Sequence, residues 1–166
     1  MDYTKQLEQL YKAMISYDAG DAGRIQHFVK VHSFARLIGL GEGLSKEQLV
    51  ILEAAAYVHD IGIKIAEKEK GSCSGELQEL YGPPEAEKML KECGFSKEQI
   101  ERVSYLVGHH HTYTNIDGAD YQILVEADFL VNLYEDNSKK ETIQHTYQTI
   151  FKTNTGKWIC REMFGI

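Results

Sequence analysis

Cysteine, proline and tryptophan are scarce in this chain, with three, two and one of each among 166 residues. Cys73, Cys93 and Cys160 are odd in number and scattered, without a Cys-x-x-Cys pair. That argues against a zinc ribbon or a secreted disulfide framework and leaves buried or free thiols. No stretch approaches the roughly 18 uninterrupted apolar residues of a membrane span. The start, Met1-Asp2-Tyr3-Thr4-Lys5, mixes charges and leads into an amphipathic pattern instead of an apolar signal core. A cytoplasmic protein without a membrane partner is therefore expected. Positive charge is also short: 18 Lys and Arg against 25 Asp and Glu give a net charge of −7, and the pI is near 5.5. Stable nucleic-acid binding depends on a positive surface and is not expected. A small phosphorylated partner is compatible with the charge, because a cation in a pocket overrides the sign of the whole surface. Sustained period-two alternation is missing, and Gly and Pro punctuate helical patterns instead of hairpins. The fold class is all-α, and the length suits a single domain over 1–166 that closes its core without staples.

From Tyr3 to Asp18, apolar residues recur at Tyr3, Leu7, Leu10, Tyr11, Met14 and Ile15, the spacing of one helical face, and Gly20 ends that helix. Asp21 is the expected N-cap of the next. In that helix His27 shares a stripe with Val31, Phe34, Ala35 and Ile38, while His32 lies on a different face. Three capping boxes place further helix starts near 46, 97 and 139: Ser45-Lys46-Glu47-Gln48, Ser96-Lys97-Glu98-Gln99 and Ser138-Lys139-Lys140-Glu141. The last opens a helix with Ile143, Tyr147, Ile150 and Phe151 inward and His145 outward. Glu67 to Gly82 is the least regular region and reads as a surface loop and candidate lid. Pro83-Pro84 then fits a helix start, with Ala86, Met89 and Leu90 packing and Gly94 as the stop. Ile100, Val103, Leu106 and Val107 lead into His109-His110-His111, followed by a polar loop over 112–120 and an apolar helix containing Glu126 and Asp128.

The centre of the pattern is Tyr57-Val58-His59-Asp60-Ile61-Gly62-Ile63-Lys64, at the end of the apolar run Leu52 to Val58. Adjacent helical side chains diverge by about 100°, so His59 and Asp60 meet on one ion only at the helix edge, and Gly62 suggests that the helix ends there. A lone His-Asp pair reads first as a satisfied buried histidine and a turn residue. Its company changes that reading: His27, His59, Asp60 and Asp128 each sit on or at the end of an apolar helix. Burying an unpaired carboxylate costs several kcal/mol unless a cation, a hydrogen-bonded network or a shifted pKa compensates. Two imidazoles and two carboxylates form a mixed N/O set suited to a divalent ion such as Mn, Fe, Co, Ni, Zn or Mg, with positions left for water and substrate.

His27, then His59-Asp60 32 residues later, then Asp128 within Glu126-Ala127-Asp128-Phe129-Leu130, resembles the HD-domain superfamily of metal-dependent phosphohydrolases. Arg24-x-x-His27-x-x-x-Val31-x-x-x-Ala35 resembles its first motif and His59-Asp60-Ile61-Gly62 its second. The resemblance spans roughly 20–135, with the C-terminal helices of 138–166 expected to pack on that core. It implies a helical bundle, a divalent metal on His27, His59, Asp60 and Asp128, and hydrolysis of a phosphomonoester or phosphodiester of a nucleotide or other small metabolite. Dinuclear members of the family have a further histidine between the His-Asp pair and a later histidine pair. The later pair reads as His109-His110, but 61–108 contains no histidine. One ion is therefore favoured, with a second only if Glu76, Glu79 or Glu85 substitutes; the triple histidine also reads as a solvated helix end.

For catalysis, Asp60 is the candidate to orient or deprotonate water, and Lys64, Arg24 and His110 are candidates to neutralise phosphoryl oxygens. Lys64 reads equally as a surface lysine, and Arg24 alternatively as a structural residue one turn before His27. The segment 151–157, with Lys152 and Lys157, either closes over a phosphate or, as expected, forms a solvated turn. A di-iron oxygenase of the same fold and a non-catalytic metal-binding signalling module are the rival functions. The first needs the full second-metal set, whose middle histidine this chain lacks, and the second is disfavoured by the intact ligand set without a fused sensor or output domain. A homodimer is left open.

Overall fold

The computed structural model describes residues 3–166; Met1 and Asp2, where the reading of the chain's start begins, lie outside them. Among the described residues there are nine helices and no strand, so the fold is all-α: α1 Tyr3–Tyr17, α2 Ala22–Gly41, α3 Lys46–Val58, α4 Ile63–Lys70, α5 Gly75–Glu92, α6 Lys97–Val107, α7 Ala119–Glu135, α8 Lys140–Thr149 and α9 Asn154–Phe164. No helix among them is long and apolar enough to cross a membrane.

Local chemistry starts several of these helices. Asp21 accepts from the Arg24 amide at the head of α2, and Ser45 and Ser96 form reciprocal boxes with Gln48 and Gln99 at the heads of α3 and α6. The third box does not form: α8 starts at Lys140, with Lys139 as an N-cap that makes no side-chain bond. Ser138 is committed elsewhere, because its amide donates to the Leu133 carbonyl while the Asn137 amide, at φ 49°, donates to Tyr134. That pair of bonds closes the C-terminus of α7 in a Schellman arrangement.

The region 67–82 also differs from expectation. Only 71–74 is a connection, and α5 begins at Gly75, capped by the Ser74 hydroxyl, so Pro83 and Pro84 lie inside the helix instead of starting it. The glycines at 62 and 82 explain how α5 runs so close to the His-Asp turn. A Cβ on Gly62 would stand 2.7 Å from the Gln78 carbonyl oxygen and from the Gly82 nitrogen.

The core is one cluster in which α2 packs most extensively on α3 and α7, and α5 on α6. Ala54, Ala55 and Ala56 are fully buried in α3, small enough to let neighbouring helices close in around the segment that leads to His59. Burial of Val31, Ala35 and Ile38 puts the His27 face of α2 inward. His32 is half-buried on another face, bonded to Glu53 (2.8 Å) and stacked on Tyr57 at 4.1 Å.

Candidate metal centre

The helix α3 ends at Val58, one residue before the His-Asp pair, and this break solves the problem of adjacent side chains diverging. Ile61 donates its amide to the Val58 carbonyl and Ile63 donates to Asp60, both at 3.0 Å, so 58–63 is wound tighter than an α-helix. His59 and Asp60 consequently converge, with His59 Nε2 3.3 Å from Asp60 Oδ2. From α2, His27 Nε2 approaches to 3.2 Å of His59 Nε2 and 3.3 Å of Asp60 Oδ2. From α7, Asp128 Oδ1 stands 3.2 Å from His27 Nε2 and 3.4 Å from His59 Nε2. Neighbouring ligands of an ion held at about 2.0–2.1 Å lie about 3 Å apart at octahedral angles and about 3.4 Å apart at tetrahedral ones. The spacings here match a divalent cation.

The outward nitrogens fit the same reading. His59 donates Nδ1–H to the Ala56 carbonyl at 2.9 Å, and His110 donates Nδ1–H to the Val107 carbonyl at 2.8 Å. A carbonyl only accepts, so in the neutral ring the lone pair sits on Nε2. His27 Nδ1 lies 3.1 Å from Glu135 Oε2, which likewise turns its Nε2 inward. Asp128 Oδ1 is steadied by Asn132 Nδ2 at 2.9 Å.

Charges within this enclosure compensate one another. Burial, the largest influence on His59, disfavours its protonation, yet the carboxylates of Asp60 and Asp128 outweigh it and hold the imidazole well above its ordinary value. His27 is raised in the same way, burial being overcome by its bond to Asp128. Burial pushes the Asp60 carboxyl up, but His59 and His110 hold it well below the carboxylate range; Asp128 is likewise lowered, by His27 and His59. The cluster takes up positive charge, and a cation satisfies that demand as protons do.

A second grouping adjoins the first. Asp60 presents Oδ1 to His110 Nε2 at 3.3 Å, and Asp60, His110 and His111 form a further set with metal-ligand spacing. His110 is 1 % exposed and its Nε2 has no hydrogen-bond partner among the described residues. The fold brings His110 and His111 here, whereas His109 turns away: its Nδ1 donates to the Tyr105 carbonyl at 2.7 Å and its ring stacks on Tyr105. His111 is hydrogen-bonded through Nε2 to Gln78 Oε1 (2.8 Å), and burial beside His110 lowers it to about 4. Glu79 accepts from the His111 amide and the Thr112 hydroxyl. The loop behind is pinned by Arg102, which grips Asp117 and Asp120, and by the Tyr121 hydroxyl on the carbonyls of His109 and Thr112.

The other candidates are held at the rim. Arg24 bonds Glu67 at 2.7 Å and Asp21 at 3.3 Å. Exposed Lys64 donates to the Tyr17 carbonyl at 2.6 Å and lies over the Tyr17 ring. Neighbours that sequence reasoning passed over are Asn132, Glu135 and Gln78, and His111 is brought in where a solvated helix end was expected. Asn132 and Glu135 follow Asp128 by four and seven positions, the same face of α7, and that periodicity was available as a signal. Gln78 had none.

The model of the HD domain family matches residues 24–152, from the start of the His27 motif to beyond α8. The chain belongs to the HD domain family. HD domains typically are metal-dependent phosphohydrolases and bind divalent metals, which supports a hydrolase at the general level. No curated protein and no solved structure matches it. Its His/Asp cluster is compatible with metal binding.

Proposed function

We propose that this HD domain, acting as a single domain over 1–166, hydrolyses a phosphomonoester or phosphodiester of a nucleotide or other small phosphorylated metabolite. The metal ligands in this reading are His27, His59, Asp60 and Asp128. The observation that supports it most is the meeting of two imidazole Nε2 atoms with carboxylate oxygens at 3.2–3.4 Å, each Nδ1 being engaged on the outer side. A divalent ion held by these four residues would supply the lowering of a water's pKa and the polarisation of the phosphoryl group.

The chain's own groups do the remainder. Asp60 serves both groupings through its two oxygens, and with a side chain 23 % exposed it is the most open of the four ligands. It is the group placed to orient an attacking water and take its proton. His110 keeps its Nε2 toward Asp60, held by Val107, where it meets a substrate oxygen or hydroxyl. Arg24 and Lys64 would reach a phosphate only by releasing Glu67 or Tyr17, so His110 is the better candidate in this reading. The Asp60–His110–His111 grouping favours one alternative, a two-ion version of the same hydrolase, over the oxygenase or signalling readings.

Elemental analysis followed by a phosphate-ester and nucleotide panel with Mn, Co, Ni and Mg tests the proposal. About one equivalent of metal, or two in the alternative, and metal-dependent phosphate release are expected. A metal-replete protein that cleaves none of the panel would overturn the assignment.

A further inference from the structure

We propose that Glu135, backed by Lys30, is the positioning residue of His27: by accepting the Nδ1–H hydrogen bond it fixes the direction in which His27 presents Nε2 to the metal. The role rests on the reading of the cluster as a metal centre. Its basis is a difference in where the three inward histidines stand. His59 and His110 follow the ends of α3 and α6, where the last carbonyls lack intrahelical donors, and each turns Nδ1–H back onto such a carbonyl three residues earlier. His27 is in the interior of α2, where the carbonyls one turn back already accept backbone amides. It has no local acceptor, so its Nδ1–H must find one on another helix.

The acceptor is Glu135, 108 residues away at the last position of α7, with Oε2 3.1 Å from Nδ1. Lys30, one turn after His27, holds the other carboxylate oxygen at 2.7 Å and lies over the Tyr134 ring, so the carboxylate is clamped from both sides. The helix α7 thus supplies Asp128 to the inner side of His27, Asn132 to steady Asp128, and Glu135 to the outer side. A carboxylate on the outer nitrogen fixes ring orientation and raises ligand basicity, and loss of such a partner typically weakens metal binding by about 10–100-fold.

The test is titration of the metal-free full chain with Co2+, followed by calorimetry and by the visible absorption of the bound ion. Glu135→Ala should raise Kd by about 10–100-fold with the absorption band shape unchanged. Glu135→Gln, whose amide oxygen can still accept, should recover most of the affinity, and Lys30→Met should cost less than Glu135→Ala. Glu53→Ala, which removes the carboxylate partner of His32, should leave Kd unaltered and controls for general damage to α2 packing. An unchanged Kd in Glu135→Ala overturns the role. So does an altered band shape, which would make Glu135 itself a ligand, or equal losses in the Ala and Gln variants, which would assign the effect to charge alone. A wild-type chain that takes up no Co2+ overturns the metal reading itself, an outcome distinct from all of these.

Discussion

Two buried carboxylates two residues apart on α7, Glu126 and Asp128, have opposite surroundings. Glu126 is fully buried, yet everything around it donates: Gln122 Nε2 at 2.8 Å, the amides of Lys152 and Thr153 at 2.6 and 2.9 Å, and the Thr153 hydroxyl at 2.5 Å. Gly156 leaves room for it, since a Cβ there would stand 1.9 Å from Oε2. Asp128 receives only Asn132 from a neutral side chain and otherwise faces imidazole nitrogens. An acid in an apolar helix is therefore not in itself a mark of a metal centre. The supply of donors separates the two: Glu126 is already satisfied and ties the α8–α9 connection to α7, whereas Asp128 needs a positive partner.

The sharpest way to break this comparison is to remove each acid. Asp128→Ala, like His59→Ala, should abolish metal uptake and turnover while circular dichroism stays helical. Chelation should lower the melting temperature of wild type and hardly affect these variants, because bound metal stabilises only the folded state. Retention of a full equivalent in Asp128→Ala would end the contrast. Glu126→Leu should do the reverse: metal stoichiometry is kept, while two backbone amides and a hydroxyl lose their acceptor, costing on the order of 3 kcal/mol or more by denaturant unfolding of the metal-free protein.

A subtler effect separates protons from cation. His27 and His59 lie above their ordinary 6.5 in the folded metal-free chain, so the stability they add is complete below 6.5 and is lost as pH rises through their folded values. Asp60 and Asp128 lie below their ordinary 3.8, so theirs is complete above 3.8 and is lost as pH falls. His111, lowered to about 4, adds stability as pH rises from about 4 to 6.5, so melting of the metal-free protein should peak near the upper end of that range and decline toward alkaline pH. Saturation with metal should remove the alkaline decline, and an identical profile with and without metal would contradict it. The smallest effect is expected for Lys64→Ala: its partners are on Tyr17, so turnover should stay near wild type. A fall of about 10²–10³ in rate would mean instead that Lys64 leaves Tyr17 for the substrate.

Legibility followed the range of the interactions. The boxes at Ser45 and Ser96 form because each is complete within four residues, and the stripe through Val31 and Ala35 was enough to separate His27 from His32. Ser138 misled because its amide serves the preceding helix, which its own tetrapeptide does not show. The proline pair misled because Ser74 caps α5 nine residues earlier. Which of His109, His110 and His111 turn inward depends on the path after Val107, set by Tyr121 and Arg102 from outside that segment. The pairings of Gln78 with His111 and Glu126 with Thr153 cross 33 and 27 residues, and no local pattern announces them; for Glu135, 108 residues from His27, periodicity along α7 shows only the face it shares with Asp128.

The unequal exposure of the cluster also sets which side of it meets solvent most. His59, just past the end of α3, is sealed at 0 % and Asp128 on α7 nearly so, while His27 shows 10 % of its side chain and Asp60 23 %. Asp60 is thus the widest of the cluster's openings to solvent. In the proposed reading, a phosphorylated product bound at that opening would slow loss of metal to a chelator as well as the next turnover.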